Sequence, residues 1–266
     1  AGPSGDPDNP FRRIVLQSLI DADILRLLDS AQGKEIAVSA PLTPDYLIRT
    51  KSVPLWIDAP NYDDVKALRE QIAAAVAVYA SRYGAYVKQH AGTPPADAAA
   101  LDPLPKVVLL PGLGVVCAGR DNNAAVIARD ITRQALSVKT AIHESGAAYQ
   151  GLSDEHLFEM EFRGYQRAKL NGKSRRALTG SIALVTGSAG AIGSGICQAL
   201  LEQGCNVAVT DLAGDKLDAA VREWQKQFPG QAAGIALDVT DPDSVARGFD
   251  ATVAAWGGID LIVVNA

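Results

Sequence analysis

The stretch from Ser181 to Asp211, SIALVTGSAGAIGSGICQALLEQGCNVAVTD, limits the possible folds more than any other part of the chain. It opens with the apolar run Ile182 to Val185, short enough for a buried strand and bounded by turn residues. Glycines follow at Gly187, Gly190 and Gly193. A helix then begins near Ile192, with apolar Ile196, Leu200 and Leu201 on its face, and Gly204 stops it. Asn206 to Thr210 reads as a second strand, with Asp211 at its end. An acid about 20 residues beyond such glycines completes a dinucleotide-binding strand–turn–helix–strand unit.

The spacing has a physical reason. A diphosphate must come close to backbone, and glycine removes the Cβ that would block it. The amides and positive dipole at a helix start then hold the anion. Gly187 is expected to make the turn and Gly193 to let the helix pack on the strand. Ser188, Ala191 and Ile192 belong to the same turn. Asp211 is expected to accept hydrogen bonds from the ribose hydroxyls. Its charge repels a 2′-phosphate, and the residues that follow, Leu212 and Ala213, carry no cation. The expected cofactor is therefore NAD.

Thr186-Gly187-Ser188-Ala189-Gly190-Ala191-Ile192-Gly193 resembles the TGxxxGxG signature of short-chain dehydrogenases/reductases. Asp238-Val239 resembles the adenine-contacting acid of that family, and Val264-Asn265-Ala266 its NNAG segment. The resemblance implies a cofactor-binding set of Gly187, Ser188, Ala191, Ile192, Gly193, Asp211, Leu212, Asp238, Val239, Asn265 and Ala266. Ala191 stands where the family has its middle glycine, and Val264 where it has the first Asn. The catalytic Ser, Tyr and Lys of the family follow its fourth strand. No residue here is assigned a catalytic role, and the chain alone is expected to be inactive, as an internal fragment ending inside the dehydrogenase domain. Tyr165 and Lys169 match YxxxK but precede the glycine turn, and Tyr165 reads as part of a helix face.

Upstream, Thr43 to Lys51 (TPDYLIRTK), Pro111 to Asp121 (PGLGVVCAGRD), Glu159 to Phe162 (EMEF) and Ala168 to Leu170 (AKL) resemble the fused class II aldolase/short-chain dehydrogenases of the rhamnulose-1-phosphate aldolase/L-lactaldehyde dehydrogenase type. That resemblance implies cleavage of a ketose 1-phosphate and oxidation of the lactaldehyde with NAD, in deoxysugar catabolism. Aldolases of this class hold zinc through closely spaced histidines. His90, His143 and His156 form no such pair, so no metal ligands are assigned and the upstream region is expected to be structural.

Net charge −5 and a pI near 5.2 argue against nucleic-acid binding. Hydrophobic residues at 48 % supply a core, yet no apolar run reaches the roughly 18 residues of a membrane span. Cys117, Cys197 and Cys205 lack metal-like spacing and read as reduced thiols of a cytoplasmic protein.

The fold class expected is α/β: an aldolase-like region followed by the first half of a Rossmann doubly wound parallel sheet. Residues 1–10 read as a flexible lead-in, 11–170 as the aldolase-like region without a zinc site, 171–179 as a linker, and 180–266 as the N-terminal half of the NAD-binding domain. Helices are predicted over 22–31, 42–50, 60–90, 122–144 and 155–170 in the first region, and strands over 11–16, 53–57, 107–110 and 115–118. The loop 92–105 is rich in Pro and Ala. In the second region, helices are predicted over 216–228 and from Asp241 to Trp256, and strands over 233–237 and 259–264. An uncovered strand edge at 259–264 predicts either a homo-oligomer that hides it or disorder near the end. The function expected is that of an oxidoreductase acting on a small aldehyde or hydroxy compound. The alternatives are a non-catalytic assembly module with a vestigial nucleotide pocket, and a class II aldolase.

Overall fold

The computed structural model describes residues 13–90, 102–162 and 176–266. They belong to two compact units. Of the described residues, one comprises 13–17, 119–126 and 176–266, and the other 18–90, 102–118 and 127–162. The short segments before Ser18 and after Ala118 therefore belong with the glycine turn, although they precede it by far in sequence.

The unit of the glycine turn has a four-stranded sheet in the order β7–β6–β5–β8, with β5 Ile182–Val185, β6 Asn206–Asp211, β7 Ala232–Ala236 and β8 Leu261–Val263. Every pairing is parallel. Strands β5 and β6 are buried at every position except Asp211, as expected of parallel strands covered on both faces. Helix α7, Ala191–Glu202, packs Cys197 and Leu201 against Ala183, Val185, Val207 and Val209. Helix α8, Asp215–Gln227, adds Leu217 and Trp224 to that cluster. Val15, Ala125, Leu237 and Trp256 pack with Ile182 and Leu184 in a second cluster. Each fully buried side chain of this kind contributes about 1.5–3 kcal/mol.

Helix α9, Pro242–Trp256, starts as the sequence predicts: Asp241 caps it by accepting from the Asp243 amide, Pro242 follows, and Gly257 ends it with φ +91°. The structure confines β8 to Leu261–Val263, inside the predicted 259–264. Leu261, Ile262 and Val264 are exposed there.

A second sheet has the order β1–β4–β3–β2, with β1 Val15–Leu19, β2 Leu55–Trp56, β3 Val107–Leu110 and β4 Gly114–Gly119. Strands β3 and β4 are an antiparallel hairpin turning through Gly112 (φ +78°), whereas β2 joins β3 in parallel. Leu19, Val107, Leu109, Val115 and Cys117 from the sheet pack on Ile24, Leu27 and Leu28 of α1, Ala22–Leu28. Helix α2, Gly33–Ala37, has no counterpart in the predictions. Helix α3, Pro44–Thr50, carries the predicted cap: Thr43 accepts from the Tyr46 amide.

Helix α4, Val65–His90, begins later than the predicted Pro60–Asn61 start because Asp64 receives the Lys66 and Ala67 amides and so acts as its cap. Helix α5, Asn122–Glu144, matches its predicted span, and α6 is Asp154–Phe162. On α5, Val138 is exposed, while Thr132 and Lys139 are buried beside Ala128 and Leu136.

The lead-in, most of the 92–105 loop, the Tyr165/Lys169 pair and most of the 171–179 linker lie outside the described residues. No helix among the described residues is long and apolar enough to cross a membrane.

Candidate functional site: the glycine turn at the carboxyl end of the sheet

From β5 the chain leads to β6 on one side, while β8 pairs with β5 on the other. Connections that diverge from a parallel sheet in this way leave a crevice beyond the carboxyl ends of the strands, where ligands of open α/β sheets bind. The glycine turn, 186–190, lies at that end of β5.

Backbone conformation and close backbone contacts set the shape of the turn. Gly187 has φ +62°, a conformation that glycine adopts without steric cost. A Cβ on Gly193 would lie 2.2 Å from the Gly187 carbonyl oxygen, so the turn rests directly on the helix backbone. Gly190 caps α7 without any side-chain hydrogen bond. The Ser194 amide closes the first helical turn on the Gly190 carbonyl at 2.9 Å. The amides ahead of it, including those of Ala191, Ile192 and Gly193, have no intrahelical acceptor by the geometry of a helix start. The Ala191 methyl is exposed and lies outside this packing.

Asp211 ends β6, half-buried. Its Oδ2 accepts the Ala189 amide at 2.9 Å, and its Oδ1 accepts the Leu212 amide at 2.8 Å. A carboxylate has about four acceptor positions, so two remain open beside the turn. Asp238 follows β7. The Thr240 hydroxyl and amide both donate to its Oδ1, and they hold its carboxyl below the usual carboxylate range. Its own amide donates to Ser244 Oγ. Ile192, Leu212 and Val239 are 75, 62 and 44 % exposed, which gives this end of the sheet apolar side chains as well as charged ones.

Two of the expected cofactor contacts also bond within the unit through their side chains. Ser188 is fully buried: its hydroxyl donates to the Val185 carbonyl and accepts the Thr210 amide, so the side chain ties the turn to β6. The Asn265 side-chain amide donates to the Thr186 and Gly187 carbonyls at 3.1 and 3.2 Å. Thr186 Oγ1 receives the amides of both Asn265 and Ala266. Asn265 and Ala266 thus brace Gly187 from behind. Thr186 is the residue that the sequence reading left without a role; its hydroxyl, placed just before the turn glycine, was the available signal.

The three thiols are buried and free. Burial pushes Cys117 and Cys205 up to about 12, and Cys197 upward, which keeps them protonated and unreactive. His90 packs against Tyr86 and Phe158, and His156 meets Ser153 at 2.7 Å. His143 stands near the end of α5. No group of three His, Cys, Asp or Glu among the described residues could hold a metal ion.

The fit to a dinucleotide rests on the Gly193 contact. The helix start comes against the turn with no side chain between them, and the carboxylate at the end of β6 keeps acceptor capacity. These features are those of a Rossmann-like α/β unit, and the chain carries a second α/β unit besides. Two family models match successive parts of the chain. Residues 4–170 match the model for aldolase class II, second domain, and residues 181–266 match the model for short chain dehydrogenase. The chain belongs to the aldolase class II second-domain family and carries a short-chain dehydrogenase segment after it.

The uncharacterized oxidoreductase YuxG of Bacillus subtilis (strain 168) is 30 % identical over 260 residues, covering 96 % of this chain and 37 % of that protein. Sorbitol dehydrogenase of Cereibacter sphaeroides is 40 % identical over 89 residues, covering 34 % of this chain and 33 % of the relative. The crystal structure of L-sorbose reductase from Gluconobacter frateurii, complexed with NADPH and L-sorbose, is 27 % identical, covers 35 % of each chain and has a TM-score of 0.33. The chain spans about a third of the length of the curated relatives it matches.

Proposed function

We propose that the unit of the glycine turn binds the nucleotide of an NAD-dependent short-chain dehydrogenase, and that the substrate is a small aldehyde or hydroxy compound, lactaldehyde in the first instance. The observation that carries this reading is the direct backbone contact at Gly193. The cofactor, when bound, supplies hydride acceptance at its nicotinamide. The chain's own residues bind and orient it. The amides from Gly190 to Gly193 hold the diphosphate at the positive end of α7. The carboxylate of Asp211 accepts from the adenosine ribose and repels a 2′-phosphate. At an effective dielectric of about 20, a unit charge pair about 4 Å apart interacts by roughly 4 kcal/mol, enough to decide between NAD and NADP. Ile192, Leu212 and Val239 exclude water from the adenine, and Asp238 lies at the outer end of the same row.

The substrate part of the proposal draws on the fusion of an aldolase-family domain with a dehydrogenase segment, an arrangement that suits production and oxidation of one short aldehyde. Matched relatives named for sorbitol and D-threitol point likewise to small hydroxylated compounds. Hydrogen exchange tests the binding site: adding NADH should slow exchange in peptides covering 187–194 and 211–213 and leave α5 unchanged. Unaltered exchange in both segments at saturating NADH would remove the assignment.

A further inference from the structure

The buried side of α5 holds a base that dinucleotide binding does not use. Lys139 is 4 % exposed. Its Nζ donates to the Ser39 carbonyl at 2.9 Å and lies 5.4 Å from the centre of the Tyr149 ring. Both partners are neutral. Burial alone lowers its pKa, to about 8, with no carboxylate among the described residues holding it up. Lys51 is buried as well, but its Nζ lies 3.4 Å from Glu161 Oε1, a partner that favours the ammonium.

Lys139 also lines two cavities. A 40 Å³ cavity is walled by Ser39, Tyr46, Thr50, Lys51 and Leu136. A 300 Å³ cleft is walled by Glu35, Ser39, His143 and Tyr149. A single water needs about 10–15 Å³ measured in this way, so the smaller cavity takes a group of a few heavy atoms and the larger one the rest of a short molecule. An amine with room on two sides and no carboxylate bonded to it is set up as a nucleophile.

We propose that Lys139 captures a short aldehyde or ketone as an imine in the cleft beside the C-terminal half of α5. The neutral amine adds to the carbonyl carbon, and the C=O π pair becomes the carbinolamine hydroxyl. That hydroxyl leaves as water, taking up a proton, while nitrogen gives up its protons to form C=N. No oxidant or reductant is needed. His143, one helical turn beyond Lys139, lines the same cleft and is the proton carrier for the dehydration. The site is separate from the glycine turn, so either assignment can fail without the other.

The test uses the full chain, glyceraldehyde and sodium cyanoborohydride at pH 8, with adducts located by peptide mass mapping. The exposed Lys66 and Lys216 serve as internal references. A half-neutral amine should be trapped about tenfold faster than these, even after allowing for its lower intrinsic nucleophilicity. Lys139→Met should abolish the fast phase, and Lys66→Met, at an exposed residue that lines neither cavity, should leave it. Because the wild-type map locates the adduct directly, the result stands even if a variant misfolds. A Lys139 peptide that stays unlabelled, or is labelled no faster than the reference lysines, overturns the proposal.

Discussion

Replacing Gly193 with alanine tests how the turn is built. The new methyl would lie 2.2 Å from the Gly187 oxygen, 2.8 Å from Ser188 Cα and 2.9 Å from the Gly187 carbonyl carbon. Carbon contacts are normally about 3.5–4.0 Å, so the turn must retreat from the helix by about 1 Å. Overpacking of this kind costs about 1–3 kcal/mol. Alanine's better helix propensity returns at most about 1 kcal/mol. The expected net loss of stability is about 1–2 kcal/mol, the balance of those two effects. The retreat also displaces the turn from the amides of the helix start. Losing one hydrogen bond to a charged group, about 1.5–3 kcal/mol, should weaken NADH binding by tenfold or more. Gly195, two residues on, is the control: a Cβ there meets nothing within 4 Å. Gly195→Ala should gain about 0.5–1 kcal/mol and bind NADH like the wild type. Urea unfolding and fluorescence titration of both variants give the four numbers. Equal behaviour of the two variants, or wild-type binding by Gly193→Ala, would refute the argument.

Thr186→Val keeps the shape of the side chain but removes the acceptor for the Asn265 and Ala266 amides. It should cost about 1–3 kcal/mol and weaken NADH binding by loosening Gly187; unchanged stability in urea would show that the brace is idle. Lys139→Met should be more stable than the wild type at pH 7 by up to about 3 kcal/mol, because the folded-state pKa of the lysine, about 8, lies below its ordinary 10.5. The unfolded chain holds that proton more tightly, so the penalty is complete below pH 8 and is relieved as pH rises towards 10.5. The gap between wild type and variant should therefore close across that window in chemical denaturation, with Glu35, His143, Tyr149, Tyr46 and Lys51 common to both proteins. A gap that stays constant from pH 7 to 10.5 would mean that the amine is not desolvated.

Elements with strong local signals were legible before any coordinates. The span of α5, strand β5, and the caps at Thr43 and Asp241 follow from periodicity and capping chemistry alone. Helix α2 gave no such signal: it has five residues, and Gln32 caps it without a side-chain bond. The glycine turn and Asp211 could be placed from spacing, because backbone clearance and charge depend on residue type. Orientation could not. Ser188 and Asn265 have the polarity of cofactor contacts, yet tertiary packing turns both towards backbone partners within the unit. Lys139 escaped for the complementary reason. A lysine on a helix is read as solvated, and only the packing of Ala128, Thr132 and Leu136 shows that its side faces inward.

Calorimetric titration of the full chain with NADH and with NADPH, in wild type and Asp211→Asn, bears most directly on the central claim. The account predicts one NADH site per chain, NADPH weaker by at least tenfold, or about 1.4 kcal/mol, and a narrowed gap in the variant. No heat from either nucleotide at millimolar concentration, or an NADPH preference indifferent to Asp211, would contradict it.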